Sequence, residues 1–359
     1  MASKVKKNKI NFKGKTVHIG IDMHKRSWHI TALVEGDIVL TLTLARPGYE
    51  TFLKVLSRFK GNYVRIVYEA GPGGFDLYDR LTADGIECIV TPPSCIPTES
   101  GSRVKTDKKD SYKLARLFEN NMLKKVWVLS PEERAHRQLV RTRRQIVNHR
   151  SDVMRQIKSL LFFHGIQVPF SSNQQWTGPF VTWLREVELG NEYLNRSLKS
   201  LVDLFDHLSA EKKSLTLEVN QLAKEEKYAH RVQLLKTIPG IGCLSALEIL
   251  VEIQDVSRFK TADELAAYLG LTPAQYSSGE HIRMGHITHA GNDRVRTTLV
   301  ESSWLLIAKD PQMRCKYENI KHRRGGKRAI VAVARSLSAR IRRMLLDQVP
   351  YELDFQKAA

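Results

Sequence analysis

The spacing of apolar residues changes character along the chain, and each change predicts a different kind of element. Between residues 16 and 44 the runs VHIGIDMH, SWHITALVE and DIVLTLTL are rich in Val, Ile, Thr and Trp and are separated by turn residues, which predicts three β-strands. A helix at about 48–59, a strand at 63–68 (YVRIVY), a helix after the glycine cluster GPGG, a strand at 86–91 (IECIVT) and a helix at about 107–120 follow. Three consecutive strands, then alternating helices and strands, predict a mixed α/β sheet.

From 131 to 229 the period becomes helical and repeats every seven residues. Leu139, Ile146, Val153 and Leu160 form one row, with Val140, Val147, Met154 and Leu161 beside it. Farther on, Leu194, Leu201, Leu208, Leu215 and Leu222 occupy the d positions, and Leu198, Phe205, Lys212 and Val219 the a positions. Alternating steps of four and three favour a coiled coil about 42 Å long over a helix packed on its own core. Lys212 at a core position favours a low oligomer state and the register suggests a dimer. The e and g positions carry little charge, which leaves open an antiparallel hairpin with 134–164. Between the two stretches, VPFSSNQQWTGPF reads as a linker.

Beyond 230, LLKTIPGIGCLSALEILVEI reads as helix, tight turn, helix. Gly240 and Gly242 permit the turn, and the first N–H groups of the second helix can face a phosphate. The pattern is similar to a helix-hairpin-helix, a sequence-independent binder of phosphate backbones; an ordinary helix corner is the alternative. A distinctive loop, YLGLTPAQYSSGEHIRMGHITHAGND, and two helices rich in Arg and Lys complete the chain.

Charge adds a partner to this outline. The 359 residues carry 57 Lys plus Arg against 38 Asp plus Glu, a net of +19. Residues 101–160 hold 16 basic and 6 acidic side chains, and residues 281–346 hold 15 and 4, so the rest is nearly neutral. Two basic blocks on a neutral scaffold predict surfaces for a polyanion, nucleic acid first. They lack the Trp/Phe/Leu face of a membrane-surface helix, and no apolar run approaches the length needed to span a bilayer. MASKVKKNKINFKGK has no apolar segment behind its positive charge, so secretion is not expected. Cys88, Cys95, Cys243 and Cys315 form no CxxC pair, which argues against a zinc site and a disulfide framework. A cytoplasmic, nucleoid-associated protein is the expectation.

Chemistry on phosphodiesters calls for carboxylates that hold divalent cations. Asp22 ends the first apolar run, and Glu69 stands in the same position in VRIVYEAGPGG. A carboxylate following an apolar run so closely is costly unless paired or metal-bound. Asp107 and Asp110 lie on one helix face at i, i+3 spacing, flanked by Lys105, Lys108 and Lys109. Each acid has a plainer role: Asp107 as helix N-cap, Asp110 as dipole complement, Glu69 as loop carboxylate. Together, two strand-end acids and an acidic helix pair that lies inside a basic block point to a phosphate-attracting metal site.

The segments IGIDMHKRSW, YEAGPGGFDLY, KTDKKDSYKLARL, IPGIG and GLTPAQYSSG, followed by an Arg-containing GHITHAGN stretch, occur in the order and spacing of one family. The chain strongly resembles the DEDD transposases of the "one-ten" class of bacterial insertion sequences. The resemblance covers about 16–120 and 230–345. It implies a basic tail (1–15), an RNase H/RuvC-like mixed-sheet catalytic domain (16–125), coiled-coil and linker helices (126–229) and a helical C-terminal transposase domain with the helix-hairpin-helix and a serine loop (230–359). It also implies that Asp22, Glu69, Asp107 and Asp110 bind Mg²⁺, two ions in the expected arrangement. Ser278 becomes the nucleophile, with Ser277 as runner-up; taken alone, Ser-Ser-Gly reads as a turn. The expected product is a serine–DNA phosphodiester, formed if the loop packs over the acidic site from this or another subunit. A structured bridge RNA would supply sequence recognition of donor and target DNA, and dimers would assemble to a tetramer.

Arg283, Arg294, Arg296, Lys321, Arg323, Arg324, Lys327 and Arg328 are expected on the DNA backbone, with Gly240 and Gly242 of the hairpin, and the 101–160 block on RNA. His286 and His289 form an HxxH that reads as substrate-facing or structural rather than metal-binding. Two other functions use the same features: a metal-dependent junction endonuclease with water as nucleophile, and a non-enzymatic coiled-coil scaffold for nucleic acid.

Overall fold

The computed structural model describes residues 13–97, 107–278, 281–288 and 291–353; the side chains of Asp107 and of residues 275–284 lie outside the description. The chain forms two compact units that divide between Leu129 and Ser130. Among the described residues no helix is long and apolar enough to cross a membrane.

In the first unit, β1 (Thr16–Met23), β2 (Trp28–Val34), β3 (Asp37–Leu44), β4 (Tyr63–Glu69) and β5 (Glu87–Thr91) form one sheet in the order β3-β2-β1-β4-β5. The first three strands pair antiparallel, and β4 and β5 run parallel to β1. The period of two sorts the side chains onto two faces. Val17, Ile19 and Ile21, Ile30, Ala32 and Val34, and Ile66 and Tyr68 are buried in one core. With them lie Phe52, Val55 and Leu56 of α1 (Tyr49–Leu56) and Leu77 and Leu81 of α2 (Asp76–Ala83). On the opposite face, Leu114 and Phe118 of α3 (Asp107–Glu119) pack against Val67.

The second unit opens with α4 (Pro131–Phe163), started by a reciprocal capping box between Ser130 and Glu133. After α5 (Gly178–Glu186), α6 (Glu192–Leu222) returns along it. Arg143 Nε donates to Thr216 Oγ1 and Arg150 Nε to Ser209 Oγ, each at 2.8 Å. Seven residues forward on one helix match seven back on the other, so the pair is antiparallel. Leu198, Phe205, Leu208, Leu215, Val219 and Leu222 are buried within this chain. The hairpin that the weak e and g charges left open is therefore the arrangement, and the heptad face does not require a second chain to cover it.

Helices α7 (Glu226–Lys236), α8 (Cys243–Ile253), α9 (Ala262–Tyr268), α10 (Asp293–Lys309), α11 (Pro311–Arg324) and α12 (Gly326–Asp347) contribute to a second core. Between α9 and α10 the distinctive loop is an antiparallel hairpin, β6 (Pro273–Ser278) and β7 (His281–Ile287), which apolar patterning did not predict.

Candidate active site

The last registered pair between parallel strands β1 and β4 is Ile21 with Tyr68. Asp22 and Glu69 come next, so two acids end neighbouring strands whose backbones lie about 4.8 Å apart. Ile21 and Tyr68 point into the α1–α2 core, and alternation turns Asp22 and Glu69 to the α3 face. The Asp22 side chain is 17% exposed, with His24 Nε2 at 3.2 Å from Oδ2. Glu69 is exposed, and its other strand neighbour is Thr91.

Helix α3 reaches this end of the sheet because Gly20 has no side chain. A Cβ there would lie 2.2 Å from the Ser111 carbonyl oxygen and 2.5 Å from the Ala115 nitrogen. The buried Ser111 and Thr31 hydroxyls meet at 2.8 Å and fix the contact. Farther along the helix, Phe118 packs edge-on to His18 with 5.9 Å between ring centres. With His18 opposite Phe118 and Gly20 opposite Ser111 and Ala115, the helix runs antiparallel to β1. Two residues beyond Gly20, about 6.6 Å of strand, correspond to one helical turn of about 6 Å back from Ser111. That turn holds Asp107, the first residue of α3, and the half-buried Asp110. Oxygen donors at a solvent-open sheet end match in kind what a hard divalent cation prefers. Among the described residues, no three His, Cys, Asp or Glu side chains come together closely enough to hold a metal.

The other predicted residues have diverse surroundings. Lys108 and Lys109 are exposed beside the acidic turn, while Lys105 and His289 lie outside the described residues. Ser277 and Ser278 end β6, where Ser278 pairs with His281, and Arg283 on β7 pairs with Tyr276; their side chains are outside the description. His286 is exposed. Gly240 has φ +91, and a Cβ there would lie 2.7 Å from the Ser302 carbonyl oxygen, so it serves the packing of the turn on α10. Gly242, the N-cap of α8, faces open space. Half-buried Arg296 donates to the Leu269 carbonyl at 3.1 Å, and Arg294 stands 3.8 Å from Asp293. Lys321, Arg323, Arg324, Lys327 and Arg328 are all exposed where α11 meets α12.

The basic block on α4 is largely turned inward. Arg141 grips the buried Glu252 with two bonds of 2.6 and 2.7 Å. One turn on, Arg144 reaches Glu248 at 2.6 Å, and Thr298 Oγ1 donates to the same carboxylate at 2.6 Å. Arg143 and Arg150 serve the α4–α6 contact. Sequence reasoning had not singled out Glu248 and Glu252. Their signal is two acids at i, i+4 in the apolar helix LSALEILVEI, each needing a partner.

An α/β sheet in this order, with acids ending β1 and β4 and opening the helix over them, is consistent with the RNase H-like class of DEDD transposase domains. A model of IS110-type DEDD transposases matches residues 19–164, and one described as Transposase IS116/IS110/IS902 family matches residues 232–318. The chain is 30% identical over 328 residues to putative transposase y4rJ of Sinorhizobium fredii, covering 82% of this chain and 81% of that protein. The chain belongs to the IS116/IS110/IS902 family of transposases. Identity to putative transposase y4qE of the same organism is 34% over 245 residues, 68% of this chain and 59% of that protein. Thus the match spans less than two thirds of the length of y4qE. The transposase for insertion sequence element IS1111A of Coxiella burnetii is 24% identical over 339 residues, 93% of this chain and 90% of its own.

Proposed function

We propose that the chain cuts and rejoins DNA to move an insertion sequence, with a structured RNA choosing donor and target. The observation that carries this is the neighbouring pair of acidic strand ends, Asp22 and Glu69, with the acidic turn of α3 directed back over them. Asp22, Glu69, Asp107 and Asp110 would hold two Mg²⁺ ions, which when bound neutralise charge on the attacked phosphodiester. Lys105, Lys108 and Lys109 draw the phosphate toward this end of the sheet.

Ser278 supplies the nucleophile. Its Oγ–phosphorus bond forms as the phosphorus–oxygen bond to a deoxyribose breaks, and the hydroxyl proton passes to the departing sugar oxygen. Attack by another strand's hydroxyl reverses these steps and rejoins DNA without loss of bond energy. Two chains, pairing further into a tetramer, would hold both duplexes. Arg283 and the exposed α11–α12 corner contact the backbone, whereas sequence is left to RNA pairing.

The test is a denaturing gel of protein incubated with a plasmid carrying the element's ends and the RNA recovered with the protein. Wild type should yield a covalent protein–DNA adduct, Ser278→Ala none, and Asp22→Asn or Glu69→Gln no cleavage with binding retained. Hydrolysed ends without adduct would replace the serine by water as nucleophile. Cleavage undiminished in Asp22→Asn would overturn the acidic site. Recovered activity on mixing Asp22→Asn with Ser278→Ala would show that chains complement one another.

A further inference from the structure

The hairpin that carries Ser278 rises from two legs, and both are tied to one buried residue, Glu252. On the incoming leg, Tyr268 at the end of α9 donates its hydroxyl to the Glu252 carbonyl at 3.1 Å. On the outgoing leg, Asn292 Nδ2 donates to Glu252 Oε2 at 2.8 Å. The legs are also joined to each other. Asn292 N donates to the Tyr268 carbonyl at 2.8 Å, and Thr288 N to the Thr272 carbonyl at 3.2 Å. Gly291, at φ +90, lets them close: a Cβ there would lie 2.4 Å from the Tyr268 oxygen and 2.9 Å from the Gly270 nitrogen.

Glu252 is 1% exposed, and its remaining valence is the two-pronged grip of Arg141. A charge so deep persists only when its oxygens are fully engaged. Here they are engaged by one residue from the long α4 limb and one from the foot of the serine hairpin. The same Asn292 turns its Oδ1 to the N–H of Val295 as N-cap of α10, so a single side chain sets both where that helix starts and where the hairpin leaves it. The cluster closes Glu252 off from solvent, which a binding site would not do. Its geometry is that of a mount.

We propose that Glu252 is a positioning residue for strand exchange: through Asn292 on one side and Arg141 on the other, it sets the pose of the serine hairpin and ties that pose to the α4 limb. The hairpin is two-stranded, and an isolated two-stranded ribbon is marginal in water, so its aim depends on its foot. The inference rests on the serine reading for its consequence, although the mount itself can be tested without DNA.

Asn292→Ser is the discriminating variant, because serine keeps the N-cap and loses only the reach to Glu252. In the full chain, amide hydrogen exchange over 271–288 should quicken about tenfold, the loss of one hydrogen bond to a charged group, while the middles of α8 and α10 hold. The rate of adduct formation at saturating plasmid and RNA should fall on the order of 100-fold with DNA affinity unchanged. Asn292→Asp also keeps the N-cap but sets a second carboxylate against Glu252, and at neutral pH it should loosen the hairpin at least as much as Asn292→Ser. Unchanged exchange in the hairpin of Asn292→Ser overturns the proposal, as does loosening spread equally through α8 and α10, or hairpin exchange in Asn292→Asp as slow as in wild type. If wild type forms no adduct, the serine mechanism falls, and the exchange data alone still decide the role of Glu252.

Discussion

The basic residues of α4 and those where α11 meets α12 come from blocks of nearly equal charge but end in opposite surroundings. On α4, Arg141 and Arg144 are spent on Glu252 and Glu248, and Arg143 and Arg150 on hydroxyls of α6. At the α11–α12 corner, Arg323, Arg324, Lys327 and Arg328 stay in solvent. The difference teaches that charge density along a chain measures demand for anions without saying whether the protein itself supplies them. Acids on a helix more than a hundred residues away absorbed Arg141 and Arg144 of the first block. The second is engaged only in part, as Arg340 is with the buried Asp310, and its α11–α12 corner stays in solvent, which makes that corner the better candidate for a phosphate backbone.

The largest effect that would test this contrast is on stability. Arg141→Ala leaves Glu252 buried without its cation and should cost about 3–5 kcal/mol in denaturant unfolding of the second unit. A loss under 1 kcal/mol would place the α4 arginines with the surface ones. Replacing Arg323, Arg324, Lys327 and Arg328 together by Gln should leave unfolding alone and act on binding. The slope of log affinity against log salt should become shallower by about 3–4, close to one per lost phosphate contact. An unaltered slope would remove the corner from the interface.

Acid offers a finer probe. Burial pushes the Glu252 carboxyl up, but the Arg141 and Asn292 bonds outweigh it and hold the group below the ordinary carboxylate range. Asp310 behaves alike: burial opposes ionisation, and bonds from Tyr351, the Met313 N–H and Arg340 prevail. Groups lowered in the folded state contribute stability in full above the ordinary value near 4, and it is lost as pH falls through the lowered one. Acid unfolding should therefore begin below about pH 4 in wild type and be less steep in Glu252→Gln. The smallest effect is expected at Arg155, an exposed α4 arginine beside Asp152. Arg155→Ala should change stability by under about 1 kcal/mol, an internal control on the helix that carries Arg141.

Much of the first unit was legible because its signals are local. Short apolar runs rich in β-branched residues predicted all five strands, and the end of an apolar run marked Asp22 and Glu69 before any pairing was known. What brings α3 to them is less visible: Gly20 looks like any glycine until the Ser111 carbonyl is found where its Cβ would be. In the second unit the heptads reported a buried face truthfully but could not name what buries it, since period encodes geometry and not partner. The β6–β7 hairpin escaped because the sequences PAQYSS and HIRMGHI carry no continuous apolar run. Its alternating Ile282 and Met284 and the Ser-Ser-Gly turn were the available hints. Glu252 was hidden for another reason, as its partners Arg141 and Asn292 are far away in the chain and meet it only after folding.

The register of the α4–α6 pair has a practical corollary. Because Arg143 faces Thr216 and Arg150 faces Ser209, the two limbs advance in matched steps of seven residues. Excising one heptad from each limb would preserve every facing pair beyond the cut and shorten the arm by about 10 Å. The arm can thus be lengthened or trimmed in whole increments like a telescoping spacer, which makes the distance it spans an adjustable parameter in engineered versions of this chain.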